Sequence, residues 1–261
     1  MRRLRLVLEY DGTDFHGWQF QEGVRTVEGC LQEALTRLSR GPVETAAASR
    51  TDSGVHALGQ CVLAVLESDL EICQLGAALN SWMPPDLAVR ECQEAEPGFH
   101  PRHDSLEKRY LYQILNRRQK SVFSRAYSWW VPQPLEDGRI REAARHMVGE
   151  HDFAAFSNRT KDAPENSVRR MRLLDWQQKG EHCTFQVIGS GFLYRMVRNL
   201  VGTLVEVGRG RLDSGEIPQI LRSRERQRGG PTAPPQGLYL MEVSYPGTQP
   251  CTLDPAPLLL H

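Results

Sequence analysis

Ser49-Arg50-Thr51-Asp52-Ser53-Gly54-Val55-His56-Ala57-Leu58-Gly59-Gln60 runs straight into the apolar segment Cys61-Val62-Leu63-Ala64-Val65-Leu66. A polar loop delivered by an apolar strand is a common way to present chemistry on a rigid support. Arg50 and Asp52 stand two apart, a spacing that in extended chain points both side chains the same way. A guanidinium beside a carboxylate favours the ionised form and keeps it available as nucleophile or base. Gly54 allows the backbone to turn with positive φ immediately after the acid. The same pair also fits a turn stabilised by an ion pair, with no chemistry attached.

On the N-terminal side, Leu4, Leu6, Leu8 and Tyr10 alternate with other residues as in a half-buried strand that ends at the turn Tyr10-Asp11-Gly12. Asp11 therefore reads as a turn former. Thr26 is placed to cap a helix whose apolar face is Val27, Leu31, Ala34, Leu35 and Leu38. On the C-terminal side, residues 61–66 form a strand. Ser68 and Glu71 then make a capping box for a helix burying Ile72, Leu75, Leu79 and Trp82, stopped by Pro84-Pro85. A further strand spans Asp86 to Cys92. Gly98 to Asp104 breaks the pattern and divides the chain into a first domain over 1–103 and a second over 104–246.

In the second domain, residues 108–116 read as a strand with Tyr110, Tyr112 and Ile114 on one face. Ile140, Ala143, Ala144, Met147 and Val148 suggest a helix, and 157–167 a mobile loop. Strands near 168–177 and 182–189 lead to a run from Gly191 with helical periodicity through Val205. A short helix near 214–224 and a strand from Gly237 to Val243 complete the pattern, and residues 247–261 read as a disordered tail. The class is α+β.

With 261 residues the chain is long enough to bury a substantial core. It holds no run long enough to span a bilayer, and Glu9 and Asp11 arrive too soon for a signal peptide. Its six cysteines lack metal or disulfide spacing and read as reduced thiols of a cytoplasmic protein. Pro101 breaks up the pair His100 and His103, so no metal is expected. No phosphate-binding loop or dinucleotide fingerprint is present, so no cofactor is expected either. Net charge is zero, but arginines gather at Arg159, Lys161, Arg169, Arg170 and Arg172, at Arg195, Arg198, Arg209 and Arg211, and at Arg222, Arg224, Arg226 and Arg228. They fit either a basic cleft or solvated helix faces.

Arg-Thr-Asp-x-Gly-Val-His-Ala ending in Gly-Gln (residues 50–60) resembles the catalytic loop of the TruA family of tRNA pseudouridine synthases. Tyr-Asp-Gly-Thr-x-Phe-x-Gly-Trp-Gln (10–19) resembles that family's N-terminus. The similarity covers roughly residues 4 to 245. Ser49 and Ser53 depart from it, standing where glycine and alanine are common. The resemblance implies two ferredoxin-like halves forming a continuous mixed or antiparallel sheet, with helices on one side and a catalytic cleft between. It implies Asp52 as the catalytic aspartate, with Arg50 either holding the acid or filling the gap left by a displaced base. Tyr110 would contact the target base, Arg198 would pair with the carboxylate, and Leu238 would line the pocket. His56, Arg102 and Arg195 are expected to help bind substrate. It also implies tRNA as partner, uridines of the anticodon stem-loop as targets, and a homodimer.

These residue types suit that reaction. Moving a uracil from an N-glycosidic to a C-glycosidic bond needs no redox partner or group donor. It does need a carboxylate to assist cleavage and a route for the C5 proton to leave. The base must be out of its stack, so an aromatic platform in a positive setting is expected. Two other readings remain open here. A non-catalytic RNA-binding module or tRNA chaperone on this fold has no need of Asp52, and a hydrolase would use Asp52 or a Ser53–His56 pair.

Overall fold

Leucines 4, 6 and 8 are completely buried while Arg3, Arg5 and Glu9 are not, so the alternation seen in the sequence is the two-sidedness of a strand. The computed structural model describes residues 1–158 and 166–247. Within these, the chain forms β1 (Arg2–Tyr10), α1 (Val27–Leu38), β2 (Glu44–Ala47), β3 (His56–Leu66), α2 (Ile72–Trp82) and β4 (Leu87–Glu94). There follow β5 (Glu107–Asn116), β6 (Trp129–Val131), α3 (Asp137–Arg145), β7 (Gly149–Asp152), β8 (Val168–Lys179) and β9 (His182–Gly189). Last come α4 (Met196–Gly208), α5 (Ile217–Ser223) and β10 (Leu238–Ser244). The architecture is α+β, with most strand pairs antiparallel. Two units are distinguishable: Met1–Leu106 together with 239–247, and Glu107–Leu238.

In the first unit β1 lies between β3 and β4, antiparallel to both, and β10 joins β3 in parallel with Tyr239 opposite His56. Strand β2 pairs with the far half of β3. The Thr26 hydroxyl accepts from Gly29 N–H at 3.2 Å, capping α1 as expected, and Val27, Leu31, Ala34 and Leu35 are buried. The cap of α2 differs from expectation. Glu71 is the cap residue, its N–H donating to Gln74 Oε1 at 3.3 Å, because Ser68 Oγ takes the Leu70 N–H instead. Trp82 is 51% exposed, not part of the buried stripe, and stacks under the Arg37 guanidinium at 4.6 Å. Residues 99–101 are tied to the end of β10: Tyr245 Oη donates to Pro101 O at 2.8 Å, and Arg5 lies over the Tyr245 ring.

In the second unit β9 lies between β5 and β8, and β7 pairs with β8, all antiparallel, while β6 runs parallel along the end of β5. Helix α3 ends at Arg145, so Met147 and Val148 lie beyond it and Val148 is partly exposed. Helix α4 begins only at Met196, after Arg195 in a left-handed conformation (φ 58°), and is buried along nearly its whole length. Of the segment 157–167, residues 159–165 lie outside the described residues, as do 248–261 of the tail.

Gly202 decides how the chain after α5 meets α4. A Cβ there would stand 1.7 Å from Pro231 O, so the backbones touch with no room for a side chain. Gly138, in α3, has nothing within 4 Å of the same position and no unusual φ. Gly202→Ala should destabilise the protein by about 2–3 kcal/mol or more, whereas Gly138→Ala should leave stability unchanged or raise it by up to ~1 kcal/mol. Urea denaturation midpoints of the two variants check the pair.

Candidate active site

The Asp52 loop is built against its own unit's N-terminal segment. Tyr10, at the end of β1, hydrogen-bonds through its hydroxyl to Thr51 Oγ1 at 2.8 Å, both residues buried. Trp18 N–H donates to Thr51 O at 3.0 Å. Phe15 O accepts from Gly54 N–H at 3.3 Å and from the Ser53 hydroxyl at 3.1 Å. Asp52 O takes the Val55 N–H at 3.2 Å, closing a turn through Gly54 at φ 78°, the positive value expected there. So close an approach requires glycine opposite the loop. A Cβ on Gly12 would lie 2.1 Å from Val55 O, and one on Gly17, itself at φ 90°, would lie 2.8 Å from Thr51 O.

The N-terminal segment is fixed in turn. Arg25 makes a two-pronged ion pair with Asp86 at 2.6 and 2.7 Å and stacks over Phe15 at 4.1 Å. The Asp86 hydrogen bonds hold the Arg25 guanidinium above its usual pKa. Asp86 O also accepts from Asp11 N–H. On the other flank of the loop, the completely buried Gln60 places its amide on the backbone of Ser49. Asp52 itself is half-buried.

The strand carrying the loop starts earlier than residues 61–66 suggest. His56 to Gln60 already belong to β3, because their backbone pairs with Tyr10 and Leu8 on one side and with Tyr239 and Leu240 on the other. His56 is buried, stacks on Tyr239 at 4.7 Å, and accepts from Gly12 N–H through Nδ1 at 3.0 Å. The same Nδ1 lies 3.1 Å from Asp11 Oδ1. The Ser53 hydroxyl donates to Phe15 O, so the Ser53–His56 pair a hydrolase would use is not formed. Asp11 accepts from Thr13 through Oδ1, the turn-forming role expected of it. Arg50 is exposed and, among the described residues, makes no ion pair with Asp52. Their spacing does not produce the pair because Thr51 is drawn inward to Tyr10 and Trp18. Arg102 is exposed on the 99–105 turn.

In the second unit Tyr110 is buried on β5, edge-on to Phe192 at 5.1 Å. Arg198 is buried on α4 and donates from Nε to Ala233 O at 2.8 Å, while Ala233 N–H returns to Arg198 O at 3.0 Å. The lone arginine of an amphipathic helix thus faces inward. Arg195 lies with its guanidinium over the half-exposed Tyr194 at 4.9 Å. Leu238 is buried at the start of β10.

The arginine-rich segments divide by role. Arg226 bonds Asn199 Oδ1 at 2.9 Å, Thr232 Oγ1 at 3.1 Å and Gly230 O at 2.8 Å, and burial lowers its pKa. It thereby fixes the segment that presents Ala233 to Arg198. Arg209 and Arg211 pair with Glu206, Arg224 with Asp152, and Arg172 with Glu107. Arg170, Arg222 and Arg228 are exposed, and Arg159 and Lys161 lie outside the described residues. Only the Glu206–Arg209 pair, three residues apart, has a spacing that signals it; the partners of Arg172 and Arg224 lie far away along the chain.

Among the described residues no group of three His, Cys, Asp or Glu side chains could hold a metal ion, and no helix is long and apolar enough to cross a membrane. The rings of His100 and His103 lie 4.2 Å apart, tilted at 46°, with His100 Nδ1 accepting backbone N–H groups. The cysteines among the described residues are free, and burial raises the Cys183 thiol to about 12 and Cys92 to about 11.

The profile of a family described as tRNA pseudouridine synthase matches residues 6–104 and 143–246. Asp52, His56 and Arg198 fall inside the matched segments and Tyr110 between them. The tRNA pseudouridine synthase A of Acetivibrio thermocellus is 41% identical over 245 residues, 94% of this chain and 100% of that protein. The Geobacter sulfurreducens protein of the same name is 43% identical over 94% of this chain and 100% of its own length. That of Myxococcus xanthus is 44% identical over 94% and 92%. A chain of the archaeal box H/ACA sRNP Nop10-Cbf5 complex aligns at a TM-score of 0.31 and 11% identity, over 77% of this chain and 43% of that one, too low to inform the fold. With both matched segments in place and relatives aligned almost end to end, the chain belongs to the tRNA pseudouridine synthase family.

Proposed function

We infer that the chain is an isomerase that converts uridine to pseudouridine in tRNA, with Asp52 as the carboxylate that assists glycosidic cleavage. The observation that carries this reading is a half-buried carboxylate on a loop anchored on both flanks, in a chain of this family. An acid set before the substrate arrives needs no reorganisation during the reaction.

Each remaining residue has a role consistent with its setting. Tyr110, a buried ring held edge-on by Phe192, suits contact with an unstacked base. Arg198, aligned through Nε by Ala233 O, suits pairing with the catalytic carboxylate. The exposed Arg50 favours filling the gap left by a displaced base over holding the acid. Leu238 lines the pocket, and His56, Arg102 and Arg195 contact the substrate. The same proposal includes two ferredoxin-like halves with a catalytic cleft, anticodon-arm uridines as targets, a homodimer with tRNA lying across both subunits, and action in the cytoplasm. Exposed arginines bind phosphates, which fix register without reading sequence.

Tritium release from C5-labelled uridine in unmodified tRNA tests the central role. Asp52→Asn, which keeps shape but removes the charge, should lower release by about 10²–10⁴-fold with tRNA affinity retained. Release at the wild-type rate by this variant would remove Asp52 from the mechanism, and wild-type protein that binds tRNA without release would leave a binding module. The division of arginines gives a second test. Arg228→Ala should reduce the slope of log affinity against log salt by about one while leaving stability unchanged. Arg226→Ala should cost about 1–3 kcal/mol of folding stability, read by denaturation, with that slope unchanged.

A further inference from the structure

Gln60 is a completely buried polar residue at the point where the β2–β3 ladder ends and the Asp52 loop begins. The backbone ladder runs from Glu44↔Val65 to Ala47↔Val62, and Ala48 N–H still donates to Cys61 O at 2.9 Å. At the next step the side chain of Gln60 stands in for a strand. Its Nε2 donates to Ser49 O at 2.6 Å, and its Oε1 accepts from Ser49 N–H at 3.3 Å. Only Arg50 and Thr51 separate that clasp from Asp52.

We propose that Gln60 is a positioning residue for the isomerisation, setting the path of the loop and hence the direction of the Asp52 carboxylate. Backbone pairing of Ser49 with residue 60 would continue the ladder and draw Arg50 and Asp52 into the sheet. The side-chain clasp satisfies the same two backbone groups about one side-chain length further out, so the chain leaves the sheet there. Thr51 is then caught by Tyr10 and Trp18, and Gly54 by Phe15. Asp52 is therefore held between two clasps, one of them a removable side chain. Gln60 never touches the substrate and acts through Ser49. This inference rests on Asp52 being the working carboxylate.

The same unit contains a chemical control. Asn80, on α2, clasps the backbone of Val89 in the same way, Nδ2 donating to Val89 O at 2.9 Å and Oδ1 accepting from Val89 N–H at 2.7 Å. Gln60→Glu and Asn80→Asp each replace the amide donor by an oxygen without changing size. Single-turnover tritium release, tRNA affinity by filter binding and melting temperature are measured on both full-length variants. Displacement of a reacting group by an ångström costs about a hundredfold, so Gln60→Glu should lower the rate of the chemical step by at least ~10-fold, with tRNA affinity within about twofold of wild type. Asn80→Asp should keep both within about twofold, whatever its melting temperature does. An unchanged rate in Gln60→Glu overturns the proposal, as does a loss in both variants that follows melting temperature. If Gln60→Glu does not fold, Gln60→Met is judged by the same split between rate and affinity. Wild-type release, recorded alongside, separates these outcomes from a failure of the isomerase reading itself.

Discussion

Backbone packed directly on backbone is the constraint on which the first unit depends. Between residues 12–18 and residues 51–55 there is no layer of side chains. Carbonyls and N–H groups of one segment meet those of the other, and Gly12 and Gly17 are the residues that permit it. Contact of this kind tolerates little sliding, because each hydrogen bond fixes a register and any added Cβ collides. The N-terminal segment is itself locked by Arg25, which binds Asp86 at its fork and covers Phe15 with its plane. The Asp52 loop is thereby tied to core structure while its carboxylate stays half-exposed.

A comparable device recurs in the second unit, with different residues. Gly202 and Gly230 let the segment before β10 lie against α4, and Arg226, Asn199 and Thr232 join the two by side-chain hydrogen bonds. Ala233 O is thus presented to Arg198, whose guanidinium would otherwise have several rotamers. Chains rich in arginine are readily assigned to nucleic acid as a whole. Here Arg226 is committed to the fold, Arg209, Arg211 and Arg224 are paired with carboxylates, and Arg170, Arg222 and Arg228 are exposed, so clustering along the chain does not give the number of arginines free to meet a phosphate.

Features set by neighbours along the chain were readable from the amino-acid order. The alternation of β1, the Thr26 cap, the positive φ of Gly54 and the paired faces of β5 all rest on steric rules acting within a few residues. Features set by distant partners were not. Strand β2 carries Glu-Thr-Ala-Ala, without the apolar alternation of a strand, and exists because β3 offers it an edge. Strand β6 is three residues long, too short for any period to show. Ser68 had the composition of a cap but bonded Leu70, and Trp82 had the spacing of a core residue but found a cation. Arg50 and Asp52 had the spacing of an ion pair, yet Thr51 between them is bonded on both sides to the N-terminal segment. The candidate role of Asp52 rests on its motif, and the structure adds the half-buried setting of its loop. The clasp by Gln60 was not, since nothing local distinguishes a buried amide from a surface one.

The hydrogen bonds on both flanks of the Asp52 loop imply that it is set before any tRNA binds. Amide hydrogen exchange of the free protein tests this directly, at Trp18, Ser49, Gly54 and Val55, whose N–H groups are all bonded in the loop and its supports. These amides should exchange as slowly as those of the β1–β3 ladder, opening only with larger unfolding of the unit. Exchange as fast as in an unstructured segment, slowing only when tRNA is added, would contradict the claim and make substrate binding the step that builds the site.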